Sequence, residues 1–343
     1  MTLPIESGMD DYKVKNSQVY MTKERKGVPV KYHLHNWPEY NKALVERGKM
    51  AFMITSDIAG SWLVAEPENK LPGGQPKFTN LAIEICLKIR ELFHFPLRQT
   101  QGFVCGLFEA TNIDLSVPDY TLLSKRSDEL NLSVKRYGRN EKQLPDEPLR
   151  ITMDSTGLKI YGEGEWLNEK HKKKMRKSWR KAHIAINQYG EVVAESLTTT
   201  AVGDPTQAVN LLAQINDNID KFLGDGVYDT SPLHAELEHK YPGIDIVTPP
   251  RKDAVISSRD HPTQRDKHIM QIEEKGRAAW QVMSGYNQRN LVENTMFRIK
   301  TIFGGKLKAR KIEKQQTELT IKCSLLNQMS SLGMPDAYKV GRN

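Results

Sequence analysis

Long hydrophobic runs are missing from this chain of 343 residues. No apolar stretch approaches the roughly 18 to 20 residues that a membrane-spanning helix needs, so we expect no membrane partner. The amino terminus has no apolar segment behind a basic start, which argues against a secretory signal. A hydrophobic share of 38% with 27% charged residues is typical of a globular chain. We therefore predict a cytoplasmic, globular protein.

Cysteine is also scarce, with three residues and no CxxC pair. An odd number without that spacing argues against a disulfide framework or a zinc knuckle. Cys86, Cys105 and Cys323 lie in apolar patterns of helical period, where a free thiol behaves as a small hydrophobe. We predict that all three belong to the core.

Acidic residues are the minority charge, with 42 against 50 basic residues, a net charge of +8 and a pI near 9.1. Counting along the sequence, residues 1–135 hold 17 basic and 16 acidic side chains, which leaves 33 and 26 for residues 136–343. The second part therefore carries +7 of the +8. A basic excess of this kind favours a polyanionic partner.

Glycine and proline divide the chain. Residues 1–76 are weakly patterned and end in a Gly and Pro cluster that is typical of a linker. Residues 77–135 carry three patterns of helical period, and three short helices in about 50 residues match a helix-turn-helix module. The alternative is a purely structural helical subdomain. In the first case Lys125 and Arg126, near the start of the third helix, would meet DNA.

The helix boundaries in this region follow from capping signals. The first helix is expected to end at Phe93 with Thr79 or Asn80 as its cap, the second to cover residues 97–110, and the third to run from Pro118 to Leu130.

The pattern changes within residues 149–335, where strands and helices alternate. Strands are predicted at 149–154, 182–187, 192–199, 222–223 and 244–248, and helices at 204–219, 231–239 and 286–303. Three strands before the alternation begins match the ribonuclease H fold, whose first three strands form a meander. The predicted fold class is α/β: a ribonuclease H-like mixed sheet with flanking helices, preceded by an all-α region.

Two aspartates end apolar strands of this region. Asp154 closes one strand, where a charge costs free energy unless something uses it. Asp225 closes another and is flanked by Gly224 and Gly226, which allow a tight turn and the close approach of a ligand. Either residue alone has a structural alternative as a helix cap or a turn residue.

Four polar residues follow at helical spacing. At 100° per residue, Tyr286, Arg289, Glu293 and Lys300 share an arc of about 60°, with apolar residues on the opposite face. Two strand-end aspartates and a helix glutamate are suitable ligands for the two hard cations that assist phosphodiester chemistry. Arg289 and Lys300 would hold the flanking phosphates.

The spacing Tyr-x2-Arg-x3-Glu-x6-Lys, together with the segments Met153–Trp166 and Gly224–Thr230, resembles insertion-sequence transposases of the IS-four and IS-five group, and the IS-five family in particular. The resemblance extends from about Lys77 to Pro335. It implies a DDE transposase that cuts element ends and joins them to target DNA, with Asp154, Asp225 and Glu293 as the catalytic metal ligands. It further implies Mg²⁺, with Mn²⁺ as a substitute, double-stranded DNA as partner, and a dimer or higher assembly associated with the bacterial nucleoid. One departure is Gly224, where the family often has alanine.

A second basic feature is a run of eight Lys or Arg among residues 170–181. Such a run is usually a solvated loop. In a basic domain it can instead follow DNA phosphates, with Lys172, Lys173, Lys174 and Lys177 as the contacts. The segment with Lys306, Lys308, Arg310 and Lys311 has the same two interpretations.

Several alternatives remain open at this level. Asp229 competes with Asp225 as a ligand, although its place before Thr230 favours a helix cap. His183 lies on an apolar strand and is interpreted as a core histidine. A ribonuclease H-like nuclease would share the carboxylates but never join strands, and a transposase-derived regulator would bind DNA without metal.

Overall fold

We describe the fold from a computed structural model, and the description covers residues 22–23, 29–50, 56–65, 75–138, 147–160 and 179–340. The chain separates into two compact units, one of Met1–Gly48 with Leu332–Asn343 and one of Lys49–Ser331. Within the described ranges, no helix combines the length and the apolar character needed to cross a membrane.

The elements are numbered along the chain. The strands are β1 (Thr22–Lys23), β2 (Pro29–Leu34), β3 (Leu149–Ile160), β4 (Trp179–Ile186), β5 (Val192–Thr199), β6 (Ile219–Leu223), β7 (Asp245–Val247), β8 (Lys306–Leu307) and β9 (Ala337–Val340). The helices are α1 (Trp37–Lys49), α2 (Ser56–Gly60), α3 (Asn80–Leu92), α4 (Leu97–Ala110), α5 (Tyr120–Arg126), α6 (Asp204–Leu212), α7 (Ser231–Lys240), α8 (Gln264–Lys275), α9 (Arg277–Met283), α10 (Asn290–Phe303) and α11 (Ile312–Ser331).

The smaller unit contains an antiparallel sheet of order β1-β2-β9. Its last strand comes from the carboxyl-terminal segment, where the Tyr338 ring stacks on His35 at 4.1 Å between ring centroids. The sequence pattern did not predict this pairing, because its strands lie about 300 residues apart.

The helical region of the larger unit largely follows its capping signals. Thr79 caps α3 by accepting a hydrogen bond from Ala82 N at 3.2 Å, and α4 has the predicted bounds. The third helix is shorter than predicted. Its cap is Asp119, whose Oδ1 accepts from Thr121 N and Leu122 N, so Pro118 precedes the helix instead of starting it.

The larger sheet has the order β5-β4-β3-β6-β7. Strands β3, β4 and β5 form an antiparallel meander, whereas β6 and β7 run parallel to β3. Thr152 pairs with Leu223 across β3 and β6. Asp154 and Asp225 each lie two residues beyond that pair, so the parallel register brings both carboxylates to the same place in the sheet.

Several predictions in this region differ from the structure. The first strand of the region was predicted to end at Asp154, but β3 continues to Ile160, so Asp154 lies inside the strand. The helix predicted to reach Ile219 ends at Leu212, and Ile219 belongs to β6, because the apolar residues after Leu212 are buried from a turn and a strand and not from the helix. Two helices, α8 and α9, fill the stretch between β7 and the long helix, and α8 begins with a capping box of Thr263 and Asp266. The long helix itself begins at Asn290, after a 3₁₀ turn over Tyr286–Arg289.

One hydrophobic cluster contains residues of α3, β4, α10 and α11. Helix α11 is buried along most of its length and on several sides, and contacts both α3 and β5. Cys86 and Cys323 lie in this cluster, and burial raises the pKa of the Cys86 thiol to about 12. Cys105 is half-buried. The two buried thiols thus behave as the predicted small hydrophobes.

Candidate active site

Asp154 lies within β3, and its side chain is only 16% exposed. Its Oδ1 accepts from Ser155 N at 2.8 Å, and its Oδ2 accepts from Arg289 Nη2 at 3.0 Å. Burial raises the pKa of this carboxyl, the charges of Asp225 and Glu293 raise it further, and Ser155 and Arg289 oppose the shift. Three carboxylates therefore repel one another at this place in the sheet.

Asp225 follows β6 and caps the 3₁₀ turn Gly226–Tyr228 by accepting from Val227 N at 2.9 Å. Capping engages Oδ1 of Asp225, and the second carboxylate oxygen remains to take part in a site. A Cβ at position 224 would lie 2.7 Å from the Tyr228 ring, which packs over the backbone there. This close approach explains glycine where the resembling family often has alanine.

Arg289 joins two of the carboxylates. Its Nη1 donates to Glu293 Oε1 at 2.7 Å, while its Nη2 holds Asp154. Partial burial disfavours the charged guanidinium, but Tyr286 and the three carboxylates outweigh burial and raise the pKa of Arg289. Its Nε is buried and has no hydrogen-bond partner among the described residues. Glu293 is more open, with its side chain 52% exposed.

Tyr286 and Lys300 complete the predicted set. Tyr286 is half-buried, its ring lies 5.5 Å from that of Trp280, and burial raises the pKa of its hydroxyl. Lys300 Nζ donates to Thr156 Oγ1 at 2.5 Å. The arc calculation was wrong for Tyr286 and Arg289, because both belong to the 3₁₀ turn and not to the α-helix. Arg289 nevertheless reaches Glu293, four residues further along the chain.

A divalent cation fits the chemistry of this donor set, because all three acids present hard carboxylate oxygens whose charges converge. The placement of the side chains does not form a ready-made ligand cage. Within the described part of the chain, no three His, Cys, Asp or Glu side chains stand close enough to share an ion. Arg289 supplies the positive charge between Asp154 and Glu293.

Asp229 has a different environment from its competitor Asp225. Its side chain is fully buried and forms a two-pronged ion pair with Arg265, at 2.8 Å and 3.1 Å. The expectation that it caps the next helix was wrong, because Thr230 takes that position and the acid binds Arg265 instead. Buried His183 contacts Thr198 Oγ1 at 2.8 Å through Nε2, as a core histidine does.

The other predicted DNA contacts lie elsewhere. Lys125 is exposed in the last turn of α5, not near its start, because that helix begins later and ends earlier than predicted. Arg126 donates to Phe78 O and Asn80 Oδ1 and pairs with Glu129, so its fork is engaged inside the helical region. Lys172, Lys173, Lys174 and Lys177 lie outside the described residues.

Comparison with known families decides the identity. A family model described as a transposase DDE domain matches residues 145–328, just over half of the chain, and a second model of the same description matches residues 45–163. The chain belongs to the DDE transposases. The cryo-EM structure of a piggyBac transposase synaptic complex with hairpin DNA is also similar, at 12% identity and a TM-score of 0.38, covering 84% of this chain and 74% of that one.

Sequence analysis of this transposase missed the partner of Lys300. Alternation along β3 places Thr152, Asp154 and Thr156 on one face of the sheet, so the strand period alone could have indicated Thr156. Lys300 thereby contacts β3 at Thr156, two residues after Asp154.

Proposed function

We propose that this transposase binds the ends of an insertion sequence and catalyses metal-dependent cleavage and strand transfer through Asp154, Asp225 and Glu293. One observation carries the proposal: carboxylates from β3, the end of β6 and α10 converge around the single guanidinium of Arg289. Isolated structural acids do not need such an arrangement, since mutual repulsion makes it costly.

The proposal includes the ribonuclease H fold for the larger sheet. The strand order β5-β4-β3-β6-β7, with an antiparallel meander followed by two parallel strands, is the order expected for that fold. The parallel register of β3 and β6 supports neighbouring positions for the two aspartates, and the ion pairs of Arg289 with Asp154 and Glu293 support the inclusion of the glutamate. The helix-turn-helix role of residues 77–135 is part of the same proposal.

Asp154, Asp225 and Glu293 would hold Mg²⁺, or Mn²⁺ in its place. The bound ions would supply neutralisation of phosphate charge and activation of the attacking water or 3′-hydroxyl. All three ligands are oxygen donors, which suits magnesium better than zinc or copper. Assignment of the three residues follows their position in the fold and their match to the spacing of the family signature.

The cations of the site would hold the DNA backbone. Arg289 has a planar fork suited to phosphate oxygens, and its contacts with Asp154 and Glu293 hold that fork at the acids. Lys300 reaches the same face of β3 from α10 and would act as a point charge. Tyr286 lies between Trp280 and the acids, where its hydroxyl can donate to a phosphate.

Further DNA contacts are proposed away from the carboxylates. Lys125 is exposed, and Lys172, Lys173, Lys174 and Lys177 belong to the basic run. Arg126 is a weaker candidate, because its guanidinium already donates hydrogen bonds to Phe78 and Asn80 and forms an ion pair with Glu129. A dimer or higher assembly on two element ends, associated with the bacterial nucleoid, completes the proposal.

The test uses a duplex carrying the terminal inverted repeat that flanks the coding sequence, together with a supercoiled target plasmid. The purified protein should cut the duplex at the repeat and join its 3′ end to the plasmid in Mg²⁺, and should do neither in EDTA. Cutting without joining would indicate a nuclease. Specific binding without cutting would indicate a regulator.

A further inference from the structure

A polar cleft is formed by the same segments of the chain that carry Asp154, Arg289 and Glu293. It has a volume of about 360 Å³ and is lined by Arg150, Thr152, Gln188, Asn287, Gln288, Leu291 and Asn294. Thr152 precedes Asp154 by two residues on one face of β3, Asn287 and Gln288 directly precede Arg289, and Asn294 directly follows Glu293. The cleft and the candidate site are thus built from the same strand and the same helix.

The lining is rich in amides and contains no carboxylate. Gln188 is engaged, because its Oε1 accepts from Arg150 N at 3.1 Å. Asn287, Gln288 and Asn294 are exposed, and no residue in the described part of the chain hydrogen-bonds to their amide groups. Three amides that line the cleft thus face solvent, each with one donor and one acceptor end.

This composition favours base edges over phosphates. A cleft that follows only the DNA backbone is lined by cations, whereas this one has Arg150 as its single charged lining residue. Asn and Gln pair their donor and acceptor with the edge of a base, most often adenine, and Arg pairs with guanine or a phosphate. The volume lies near the lower end of small-ligand pockets, about 300 Å³, which suits one nucleotide at a time.

We propose that this cleft reads the edge of a base next to the scissile phosphate, with Asn294, Asn287 and Gln288 as specificity-determining residues. The inference rests on the proposed function. It adds that the protein recognises the identity of the terminal nucleotide at the cleavage site itself. Recognition of the element end would then be divided between distant DNA contacts and the cleft itself.

The experiment compares single-turnover cleavage of a duplex carrying the native terminal repeat with duplexes in which each of the three base pairs nearest the cut is replaced. The proteins are the unmodified chain, Asn294→Ala, Asn287→Ala and Asn290→Ala. Asn290 is exposed on the same helix but does not line the cleft, so it is the matched control.

The unmodified protein and Asn290→Ala should prefer the native base pair by about tenfold at one position or more, since a bidentate contact discriminates by roughly that factor. Asn294→Ala or Asn287→Ala should lose most of this preference while still cutting the duplexes. Equal slowing of all duplexes would show a backbone contact and overturn base reading, as would a preference unchanged in both cleft variants. If the unmodified protein cuts no duplex, the proposed function itself fails, which is a separate outcome.

Discussion

Two clusters of charged side chains in the larger unit differ in how their charges are balanced. In the candidate site, Arg289 is ion-paired with two carboxylates and interacts with the charge of a third, Asp225, and the Glu293 side chain is half exposed. In the second cluster, which we call the internal ion network, Glu91, Glu318 and Lys322 are each 1% exposed. The acids of the network are buried next to lysines, whereas the site has more acids than ion-paired cations and one of these acids, Glu293, is open to solvent.

The acids of the internal ion network have cationic and backbone partners on several sides. Lys322 Nζ donates to Glu318 Oε1 at 2.7 Å, Lys308 Nζ lies 3.3 Å from Glu91 Oε2, and Lys308 N and Ala309 N also donate to Glu318. It connects α3 with α11 and with the segment after β8. Because buried charges are costly unless paired, this cluster is a structural connection. The candidate site instead has more carboxylates than Arg289 can neutralise, and a bound metal ion can balance this excess negative charge.

The largest expected effect lies in the site. Asp154→Asn, Asp225→Asn and Glu293→Gln should each slow cleavage by about three orders of magnitude, since metal-bound charge stabilisation is worth several kcal/mol and each 1.36 kcal/mol is tenfold. Stability should not fall with Asp154→Asn, because burial and two neighbouring acids already disfavour its charge. Cleavage assays and thermal melts measure both.

The exposed acid Asp220, on the strand that precedes Asp225, provides the control. Asp220→Asn should cut normally. A normal cleavage rate for Asp225→Asn would remove that residue from the site and contradict the statement that the site contains three functional carboxylates.

The network should respond in the opposite way, with a loss of stability. Lys322→Met leaves Glu318 without its buried cation, and breaking a buried pair costs about 3 to 5 kcal/mol. Lys311→Met is the control, because Lys311 is 70% exposed and lies 3.9 Å from Asp128, so about 0.5 kcal/mol or less is expected. Urea unfolding distinguishes the two. Equal stabilities would show that the network is not structural.

The two clusters also differ in how far the sequence predicts them. Asp225 is visible as a charge just after an apolar strand, and the glycines around it mark a tight turn, so local pattern suffices there. Asp154 is visible as a charge next to an apolar run, but the prediction that it ends the strand was wrong, because β3 continues to Ile160 through residues that pair with β4. The 3₁₀ turn at Tyr286–Arg289 was not predicted, because a count of 100° per residue assumes the period of the α-helix and a 3₁₀ turn has a shorter period. Nothing local indicates the internal network. Lys308 and Glu91 lie 217 residues apart, and each resembles an ordinary surface charge until α11 packs on α3.

Glu195 on β5 sharpens the comparison, because it is buried with neutral partners. Thr320 Oγ1 donates to it at 2.6 Å and Gln316 Nε2 at 2.8 Å, yet burial raises the pKa of this carboxyl to about 7. The folded state then holds its proton more tightly than the unfolded chain. The protonated carboxyl therefore adds to the free energy of unfolding. This contribution is fully present below about pH 4.5 and is lost as the pH rises to about 7.

Glu195→Gln removes this titration. Relative to the unmodified protein, its free energy of unfolding should increase by about 2 to 3 kcal/mol between pH 5 and pH 8, since each unit of pKa shift corresponds to about 1.4 kcal/mol. Urea unfolding at pH 5, 6, 7 and 8 measures the difference. A constant difference across this range would mean that the acid ionises without cost, as a paired one does.

The smallest effect concerns Arg289 as the cation that balances the site. Its guanidinium occupies Asp154 Oδ2 and Glu293 Oε1, so it competes with any metal ion for those oxygens. Arg289→Gln should therefore bind Mn²⁺ about tenfold more tightly without DNA, a change of about 1.4 kcal/mol. Mn²⁺ binding is followed by electron paramagnetic resonance, which needs no cleavage.

Arg298→Gln removes the same charge from α10, where Arg298 donates to Ser330 at 3.0 Å, and should leave Mn²⁺ affinity unchanged. If Arg289→Gln also binds Mn²⁺ as the unmodified protein does, the guanidinium does not compete with the ion. Its contacts with Asp154 and Glu293 would then be compatible with bound metal, and the site would resemble the internal ion network more closely than the exposure of Glu293 suggests. Tighter binding in both variants would show a general effect of net charge, because loss of any nearby positive charge favours a divalent ion.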